Sequence, residues 1–257
     1  MNEKELIEYY NKFNEDKRLT RRHGKVEFIV TLKYIHDYLN KMNNPKIIDI
    51  GAGTGKYSIE LSNQGYDVTA IELIKHNLSY IKKYDKIKSY QGNAIDLSRF
   101  KDETFDLTLL FGPMYHLIDE NDKIKALNEA KRITKKDGII MVAYIMNDYC
   151  ILTHGFKDNN ILNAIENKMI DDNFKCIKWD NNLYSVYRIE DIDKLNEKVN
   201  LNRIKIITPD GPANYMRNTL NKMSDKEFDK FIEYVLSISD RKDMIGSSAH
   251  TIDILKK

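Results

Sequence analysis

Cysteine, proline and tryptophan are scarce in this sequence of 257 residues, which has two, four and one of them respectively. Cys150 and Cys176 are too few for a disulfide framework or a zinc site, and such usage is typical of a reducing compartment. Long apolar runs are also missing, because the longest, residues 138–146, is too short to span a bilayer. The opening MNEKELIEYYNK has no apolar stretch of the kind that a secretory signal needs. We therefore expect a cytoplasmic protein without a membrane partner.

Charge of one sign is not in excess either. The 41 basic and 39 acidic residues are mixed along the chain and leave a net charge of +2. Nucleic-acid-binding surfaces normally appear as a clustered basic stripe, so the sequence argues against a nucleic-acid partner. Hydrophobic residues make up 42% and charged residues 31%, as is usual in a globular protein. The length suffices for one domain with a full core.

From residue 46 to residue 145, short β-rich runs alternate with amphipathic stretches. This alternation, with strands that are apolar almost throughout, predicts an α/β fold with a doubly wound, Rossmann-like parallel sheet. The Asp137-Gly138 pair is a stop signal for the last of the helices in this stretch. The predicted strands are 46–50, 67–72, 87–91, 105–111 and 138–145, and the predicted helices are 4–16, 25–40, 55–64, 75–84 and 121–134.

After Met146 the alternation ends. The next segment is polar, contains the only tryptophan, Trp179, and is interpreted as a cap over the carboxyl edge of the sheet. Ser224 and Glu227 form a capping-box signal for a later helix. Further strands are predicted at 202–208 and 250–257. The predicted organisation is one domain, 1–257, made of N-terminal helices that form a lid (1–44), a core (45–146), a cap (147–200) and the final strands and helix (201–257).

The stretch IIDIGAGTGKYSIEL, residues 47–61, is the main functional signal. A P-loop is excluded, because Gly55-Lys56 is followed by Tyr57 instead of Ser or Thr, and Ile50 stands where the loop needs its first glycine. A dinucleotide fingerprint would place its last glycine at Lys56. That interpretation is weakened but stays open, since the third glycine of the fingerprint varies.

Carboxylates surround this loop. Asp49 ends the first predicted strand, where it would repel a pyrophosphate and attract an ammonium group. Glu72 ends the second strand, where a carboxylate can accept hydrogen bonds from both hydroxyls of a ribose. Gly51 and Gly53 allow a tight turn and a close approach of ligand to backbone. Two carboxylates with no phosphate-binding partner suit S-adenosylmethionine, which carries an amine, a sulfonium and a free ribose.

At these residues the chain resembles the class I S-adenosylmethionine-dependent methyltransferases. The resemblance continues in QGNAIDLS (91–98) and LLFGPMYHL (109–117), and more loosely in RLTRRHGKVEF (18–28) and DMIGSSAHTIDILKK (243–257), which are similar to an uncharacterised small-molecule subgroup. It implies seven strands in the order 3-2-1-4-5-7-6, with the last strand antiparallel. The cofactor-binding residues that it implies are Asp49, Gly51, Ala52, Gly53, Tyr57, Glu72, Leu73, Asn93, Ala94, Phe111, Gly112 and Arg22.

Other polar residues have more than one interpretation. Tyr115 and His116 follow the fourth strand, where they would act as a general base or contact a substrate, or where His116 would simply pack against the next helix. Three arginines and one histidine lie between the two predicted N-terminal helices and are called the basic group. One of its arginines could bind the cofactor carboxylate, although a solvated charge run is the alternative. His250 beside Ser247-Ser248 lacks a nucleophile elbow, so it is structural or part of the acceptor pocket. Tyr9 and Tyr10 could line a lid, although packing is the default interpretation. The basic group consists of Arg18, Arg21, Arg22 and His23.

The sequence therefore favours a methyltransferase that uses S-adenosylmethionine and transfers a methyl group to an O, N or C atom of a small molecule. An RNA methyltransferase of the same fold and a nicotinamide-dependent oxidoreductase are the alternatives, followed by a cofactor-binding protein without activity. No metal is expected, and the sequence leaves the acceptor and the oligomeric state open.

Overall fold

A computed structural model describes residues 3–12, 21–177 and 183–257. Its centre is a seven-stranded sheet with the order β3-β2-β1-β4-β5-β7-β6. Strand β7 runs antiparallel to both of its neighbours, and the other pairings are parallel. The predicted fold class, strand order and reversed last strand are confirmed. The strands are β1 (Lys46–Ile50), β2 (Asp67–Glu72), β3 (Lys88–Gln91), β4 (Phe105–Leu110), β5 (Thr134–Ile145), β6 (Asn202–Ile207) and β7 (His250–Lys256).

The helices flank this sheet on both faces. Residues 13–16 of the first predicted helix, together with Arg18, Trp179 and Asp180, lie outside the described residues. Short 3₁₀ turns occur at Pro113–Tyr115 and Ile245–Ser247, and a π-helix at Ile151–Lys157 continues α6. The helices are α1 (Glu3–Lys12), α2 (Arg22–Leu39), α3 (Lys56–Asn63), α4 (Lys75–Ile81), α5 (Glu120–Ile133), α6 (Asn147–Cys150), α7 (Ile161–Glu166), α8 (Ile189–Val199), α9 (Arg217–Leu220) and α10 (Asp225–Ile238).

The predicted stop at Asp137-Gly138 does not end α5. The helix ends at Ile133, and β5 begins at once with Thr134, which pairs with Phe105. The Thr134 hydroxyl hydrogen-bonds to the Ala130 carbonyl and lies 2.6 Å from the Thr108 hydroxyl, so the side chain fixes the transition. The register between β4 and β5 then shifts, which accommodates Gly138 inside the strand.

Two apolar layers form the core, one on each face of the sheet. Adjacent residues of β1 point to opposite layers, with Ile47 in the first and Ile48 in the second. Helices α2, α3 and α10 cover the first layer, while α5 and α8 cover the second. Burial on both faces explains why the strands are apolar almost throughout. Within the described segments, no helix combines the length and apolarity that a bilayer span requires.

The segment after β5 packs against the loop that follows β4. The Tyr187 hydroxyl donates a hydrogen bond to the Met114 carbonyl at 2.5 Å, and the Ser185 main-chain N–H donates to the Tyr115 carbonyl at 2.7 Å. Asn147 ties the same segment together through the main chain of Phe174 and Cys176. These bonds hold the described residues between 147 and 187 beside the carboxyl edge of the sheet, whereas α8, at the end of the predicted cap, packs on the second core layer.

Candidate active site

The turn after β1 lies against the loop after β4. Gly51 has a φ of +72°, and a Cβ atom added there would lie 2.6 Å from Pro113 Cδ. Both requirements exclude a side chain. The main-chain N–H groups of Gly51 and Ala52 donate to the Ile71 carbonyl at 2.8 and 3.0 Å, which fixes the turn to β2. The ends of three strands are thereby brought together.

Glu72 holds the turn from the other side. This buried carboxylate accepts hydrogen bonds from the Gly53 N–H at 2.7 Å and the Ile74 N–H at 2.8 Å, one on each oxygen. A carboxylate oxygen can accept more than one hydrogen bond, so these two contacts do not exclude a ligand donor. The vicinal hydroxyls of a ribose are a matching pair of donors.

Asp49 is buried at the end of β1. Its Oδ2 accepts a hydrogen bond from the Ser58 hydroxyl at 2.7 Å. Burial raises the pKa of this carboxyl to about 6, although the hydrogen bonds from Ser58 act in the opposite direction. A cationic ligand group beside Asp49 would stabilise the ionised form, which is what the predicted ammonium contact requires.

These residues line one cavity of about 930 Å³, which includes its open mouth and is called the cofactor cavity below. Helix α1 contributes Leu6 and Tyr10 to its wall, and Tyr57 and Phe111 add an aromatic pair with ring centroids 5.2 Å apart. The structure thus brings together nearly all of the predicted site residues: Asp49, Gly51, Ala52, Gly53, Tyr57, Glu72, Leu73, Asn93, Ala94, Phe111, Gly112, Tyr115 and His116.

Arg22 is the predicted residue that lies elsewhere. Its guanidinium donates to the Leu220 and Met223 carbonyls, pairs with Asp225 at 2.7 Å and lies over the ring of Phe228. The side chain therefore joins α2 to the start of α10, and it is not among the described residues that line the cofactor cavity. The predicted contact with the cofactor carboxylate has no support in this geometry, because these protein groups already engage the guanidinium.

His116 has both ring nitrogens in hydrogen bonds within the protein. Nδ1 donates to the Leu183 carbonyl at 2.9 Å, so the neutral ring accepts at Nε2 from the Tyr10 hydroxyl at 2.7 Å. Burial lowers the pKa of His116 to about 4, since the charged ring would be poorly solvated. The ring is therefore neutral at physiological pH, and an acceptor proton could reach Nε2 only by displacing Tyr10. This favours a positioning role over general-base catalysis.

Sequence reasoning missed several residues of the cofactor cavity. Thr54 and Lys56 lie in the glycine loop itself, and Pro113 follows Gly112 directly, so proximity to the motifs could have identified them. Asn77 in α4 and Leu6 in α1 carry no such signal, since only the fold brings their helices to the cavity.

A second cavity of about 600 Å³, called the acceptor cavity below, adjoins the first and shares Tyr10 and Tyr115 with it. It lies where β5 ends at Ile145 and β7 begins at His250, at the carboxyl edge of the parallel strands. Ligands of open α/β sheets bind at this edge. The cap contributes Tyr184, and the remaining lining residues are His23, Gly24, Glu27, Asn214 and Arg217.

The residues of the cofactor cavity fit S-adenosylmethionine. Glu72 offers carboxylate oxygens to the ribose hydroxyls, Asp49 suits an ammonium group, and the rings of Tyr57 and Phe111 form an aromatic part of the wall, which suits a sulfonium.

Comparisons with known proteins concern the family and the fold. Residues 48–142 match the family described as a methyltransferase domain, and this segment contains the glycine loop, Glu72 and the loop after β4. Several curated proteins are similar to parts of the chain. A glycine/sarcosine N-methyltransferase from Aphanothece halophytica is 29% identical over 45% of this chain and 45% of its own length. An uncharacterised protein from Methanocaldococcus jannaschii is 31% identical over 65% of this chain and 70% of its own length.

Solved structures give the same fold. An S-adenosylmethionine-dependent methyltransferase from Thermotoga maritima, described as a possible histamine N-methyltransferase, superposes with a TM-score of 0.61 at 18% identity, covering 98% of this chain and 99% of its own. The chain spans less than half the length of the glycine/sarcosine enzyme, so that likeness concerns the shared domain. Together with the glycine turn, the paired carboxylates and the strand order, these matches show that the chain belongs to the class I S-adenosylmethionine-dependent methyltransferases.

Proposed function

We propose that this chain is a methyltransferase that binds S-adenosylmethionine in the cofactor cavity and methylates a small molecule held in the acceptor cavity. The observation that carries this proposal is that the two cavities adjoin and share Tyr10 and Tyr115. A methyl donor and an acceptor bound in these two cavities would meet beside Tyr10 and Tyr115. Holding the reacting atoms in line is the main task of such an enzyme.

Each part of the cofactor has a partner in this proposal. Glu72 binds the ribose, Asn93 and the Ala94 main chain lie by the adenine, and Asp49 holds the ammonium group. Tyr57 and Phe111 lie beside the methionine part. When bound, the cofactor supplies a sulfonium methyl group that an electron-rich atom can accept. Tyr115 contacts the acceptor, and His116 positions the Tyr10 side chain beside it.

The acceptor is proposed to be a small molecule, not a nucleic acid. The acceptor cavity is bounded by α2, β5, β7 and the cap, and these walls enclose a ligand from several sides. The glycine/sarcosine enzyme and the possible histamine enzyme act, according to their names, on small amines. We also propose a cytoplasmic location, because Cys150 and Cys176 are free thiols, as expected in a reducing compartment.

Calorimetry tests the cofactor part of the proposal. S-adenosylmethionine and its demethylated product should bind and raise the melting temperature, because a ligand that binds only the folded state stabilises it. NADH serves as the control for the oxidoreductase alternative. Binding of NADH without binding of either S-adenosyl ligand would refute the proposal.

Transfer of labelled methyl groups tests the acceptor part. Label from methyl-labelled S-adenosylmethionine should appear in small amines or hydroxyl compounds. Bulk tRNA and ribosomal RNA, offered at low and at physiological salt, should stay unlabelled and bind weakly. Tight binding that falls steeply with salt is the signature of phosphate contacts, and with label in the RNA it would establish the RNA methyltransferase instead.

A further inference from the structure

A carboxylate and a histidine are paired in the wall of the acceptor cavity. Asp210 is fully buried, and its Oδ2 lies 2.8 Å from Nδ1 of His250. The His250 main-chain N–H reaches the other oxygen of Asp210 at 3.3 Å. Asn214 Nδ2 donates to Oδ2 at 2.6 Å, and Arg217 in turn holds the Asn214 side-chain oxygen with donors at 2.6 and 3.1 Å. This chain of contacts fixes the orientation of Asp210 and, through it, of the imidazole.

The pairing also selects the tautomer of His250. Because Nδ1 donates its proton to the carboxylate, the neutral ring carries its lone pair on Nε2. Glu27 Oε2 lies 3.8 Å from Nδ1, so a second negative charge stabilises the imidazolium that forms when Nε2 takes up a proton. The side chain is 22% exposed and lines the acceptor cavity, which gives ligands access to the ring.

The neighbouring serine does not form a nucleophilic pair with this imidazole. Ser248 Oγ donates to the main-chain oxygen of His250 at 2.6 Å, which stabilises the start of β7. The pairing with Asp210 is therefore the feature of His250 that has a chemical consequence.

We infer that His250 is the general base of the proposed methyl transfer, with Asp210 as its positioning residue, and that the acceptor atom is an O–H or N–H group of a small molecule. This inference rests on the proposed function. Nε2 of His250 removes the proton from the acceptor, and the electron pair left on the oxygen or nitrogen forms the new bond to the methyl carbon. The carbon–sulfur bond breaks with its electron pair retained by sulfur, and the imidazolium returns its proton to solvent.

Nuclear magnetic resonance tests the tautomer without knowledge of the acceptor. Nitrogen-15 spectra of the protein with S-adenosylmethionine, assigned by comparison with His250→Gln, should show the neutral ring of His250 protonated at Nδ1. Asp210→Asn should abolish this preference. A neutral ring protonated at Nε2, or a ring that stays doubly protonated to pH 9, would overturn the inference. The titratable and charged groups around this ring are Tyr10, His23, Glu27, Tyr115, Tyr184, Asp210 and Arg217. Because His23 is a second imidazole among them, His250→Gln is needed to assign the signals of His250.

Label transfer to glycine, sarcosine and histamine, and separately to catechol and 4-hydroxybenzoate, distinguishes amine from hydroxyl acceptors. With any probe that the wild type methylates, His250→Gln should lower the rate by about 10²- to 10⁴-fold and remove the acid limb of the pH profile. Imidazole should restore part of the rate in His250→Ala. The affinity for S-adenosylmethionine should stay within about twofold of the wild type. His154→Gln, an exposed cap histidine paired with Asp158, is the control and should behave as wild type.

An unchanged rate and pH profile in His250→Gln would refute the role of His250 and leave the proposed function standing. Failure of the wild type to bind S-adenosylmethionine would refute the proposed function itself. Each of Glu27, Asp210 and His250 offers one possible metal-ligand atom, and these three atoms lie within 4.8 Å of one another, so they could bind a divalent cation instead. Activity that EDTA abolishes and Mn²⁺ restores would therefore also overturn the inference.

Discussion

The hydroxyl of Tyr10 lies 2.7 Å from Nε2 of His116, so helix α1 is joined to the loop after β4 at the wall shared by the two ligand cavities. Nδ1 of the same ring is bound to the Leu183 carbonyl in the cap. One neutral imidazole thus connects three segments that are far apart in the sequence. The arrangement explains why His116 is buried although it lies at the mouth of a functional site.

Tyr10→Phe should destabilise the folded protein. The substitution removes the donor to His116 Nε2 and leaves a buried acceptor unpaired, which costs about 1–3 kcal/mol. Urea denaturation of the variant and the wild type measures the difference. Tyr84→Phe, at an exposed position, is the matched control. Equal stability of the two variants would show that the Tyr10 contact contributes little.

His116 should make stability depend on pH in the acid range. The pKa of this residue is about 4 in the folded protein and about 6.5 in the unfolded chain, so its contribution is complete above pH 6.5 and is lost as the pH falls towards 4. Between these values the slope attributable to one proton is about 1.4 kcal/mol per pH unit. Unfolding free energies of wild type and His116→Gln from pH 4 to 7 measure it. Parallel curves for the two proteins would contradict this origin of the slope.

Asp49 should make cofactor affinity rise with pH. Its pKa is about 6 without ligand, and a bound ammonium group lowers it, so binding releases a proton below pH 6. Affinity for S-adenosylmethionine should increase by up to about tenfold per pH unit below pH 6 and become constant above it. Calorimetry from pH 4.5 to 7.5 tests this, with Asp49→Asn as the variant that should bind weakly and show a flat profile. A wild-type affinity that is independent of pH would mean that Asp49 does not face the ammonium group.

Glu72→Ala should weaken cofactor binding by about 1–3 kcal/mol, the usual cost of leaving buried polar partners unpaired. It also removes the acceptor for the Gly53 and Ile74 N–H groups, so the melting temperature without ligand should fall as well. Calorimetry and thermal melts separate the two effects. Glu60→Ala is the control, because Glu60 lies on α3, is not among the described residues that line the cofactor cavity, and accepts a hydrogen bond from the exposed Gln64. Wild-type affinity in Glu72→Ala would exclude the ribose contact.

Gly51→Ala should disrupt the cofactor cavity. The new methyl group would lie 2.6 Å from Pro113 Cδ in addition to the strain of a φ of +72°, so the loop after β4 would have to move. Gly65→Ala is the matched control, since Gly65 has a φ of +94° with no atom within 4 Å of the added Cβ. We expect Gly65→Ala to lose about 1–2 kcal/mol from strain alone and to keep its affinity for S-adenosylmethionine. Gly51→Ala should lose more stability and most of its affinity, and equal losses in the two variants would refute the clash.

The sequence by itself predicted most of the residues that line the cofactor cavity. Its signals are local: a strand must end before Gly51, the turn must accept glycines, and Glu72 must end the next strand. Parallel strands bring their carboxyl ends to one edge of the sheet. Residues that are predicted to follow or end different strands therefore lie close together in the fold. The strand order and the reversed last strand were predicted from the family resemblance. Periodicity alone predicts where strands lie in the sequence, but not which strands pair with one another.

The tertiary structure alone decided the position of Arg22 and the composition of the acceptor cavity. The sequence does not distinguish an N-terminal arginine that faces the cofactor from one that does not. The packing of α2 against α10 placed Arg22 beside Asp225. Glu27, Asp210 and His250 belong to α2, to the loop after β6 and to the first residue of β7, with no spacing that links them. They meet because the antiparallel β7 brings its first residue, not its last, to the carboxyl edge of the parallel strands. Side-chain pairs formed in this way depend on how the helices and strands pack against one another. No local pattern in the sequence predicts that packing.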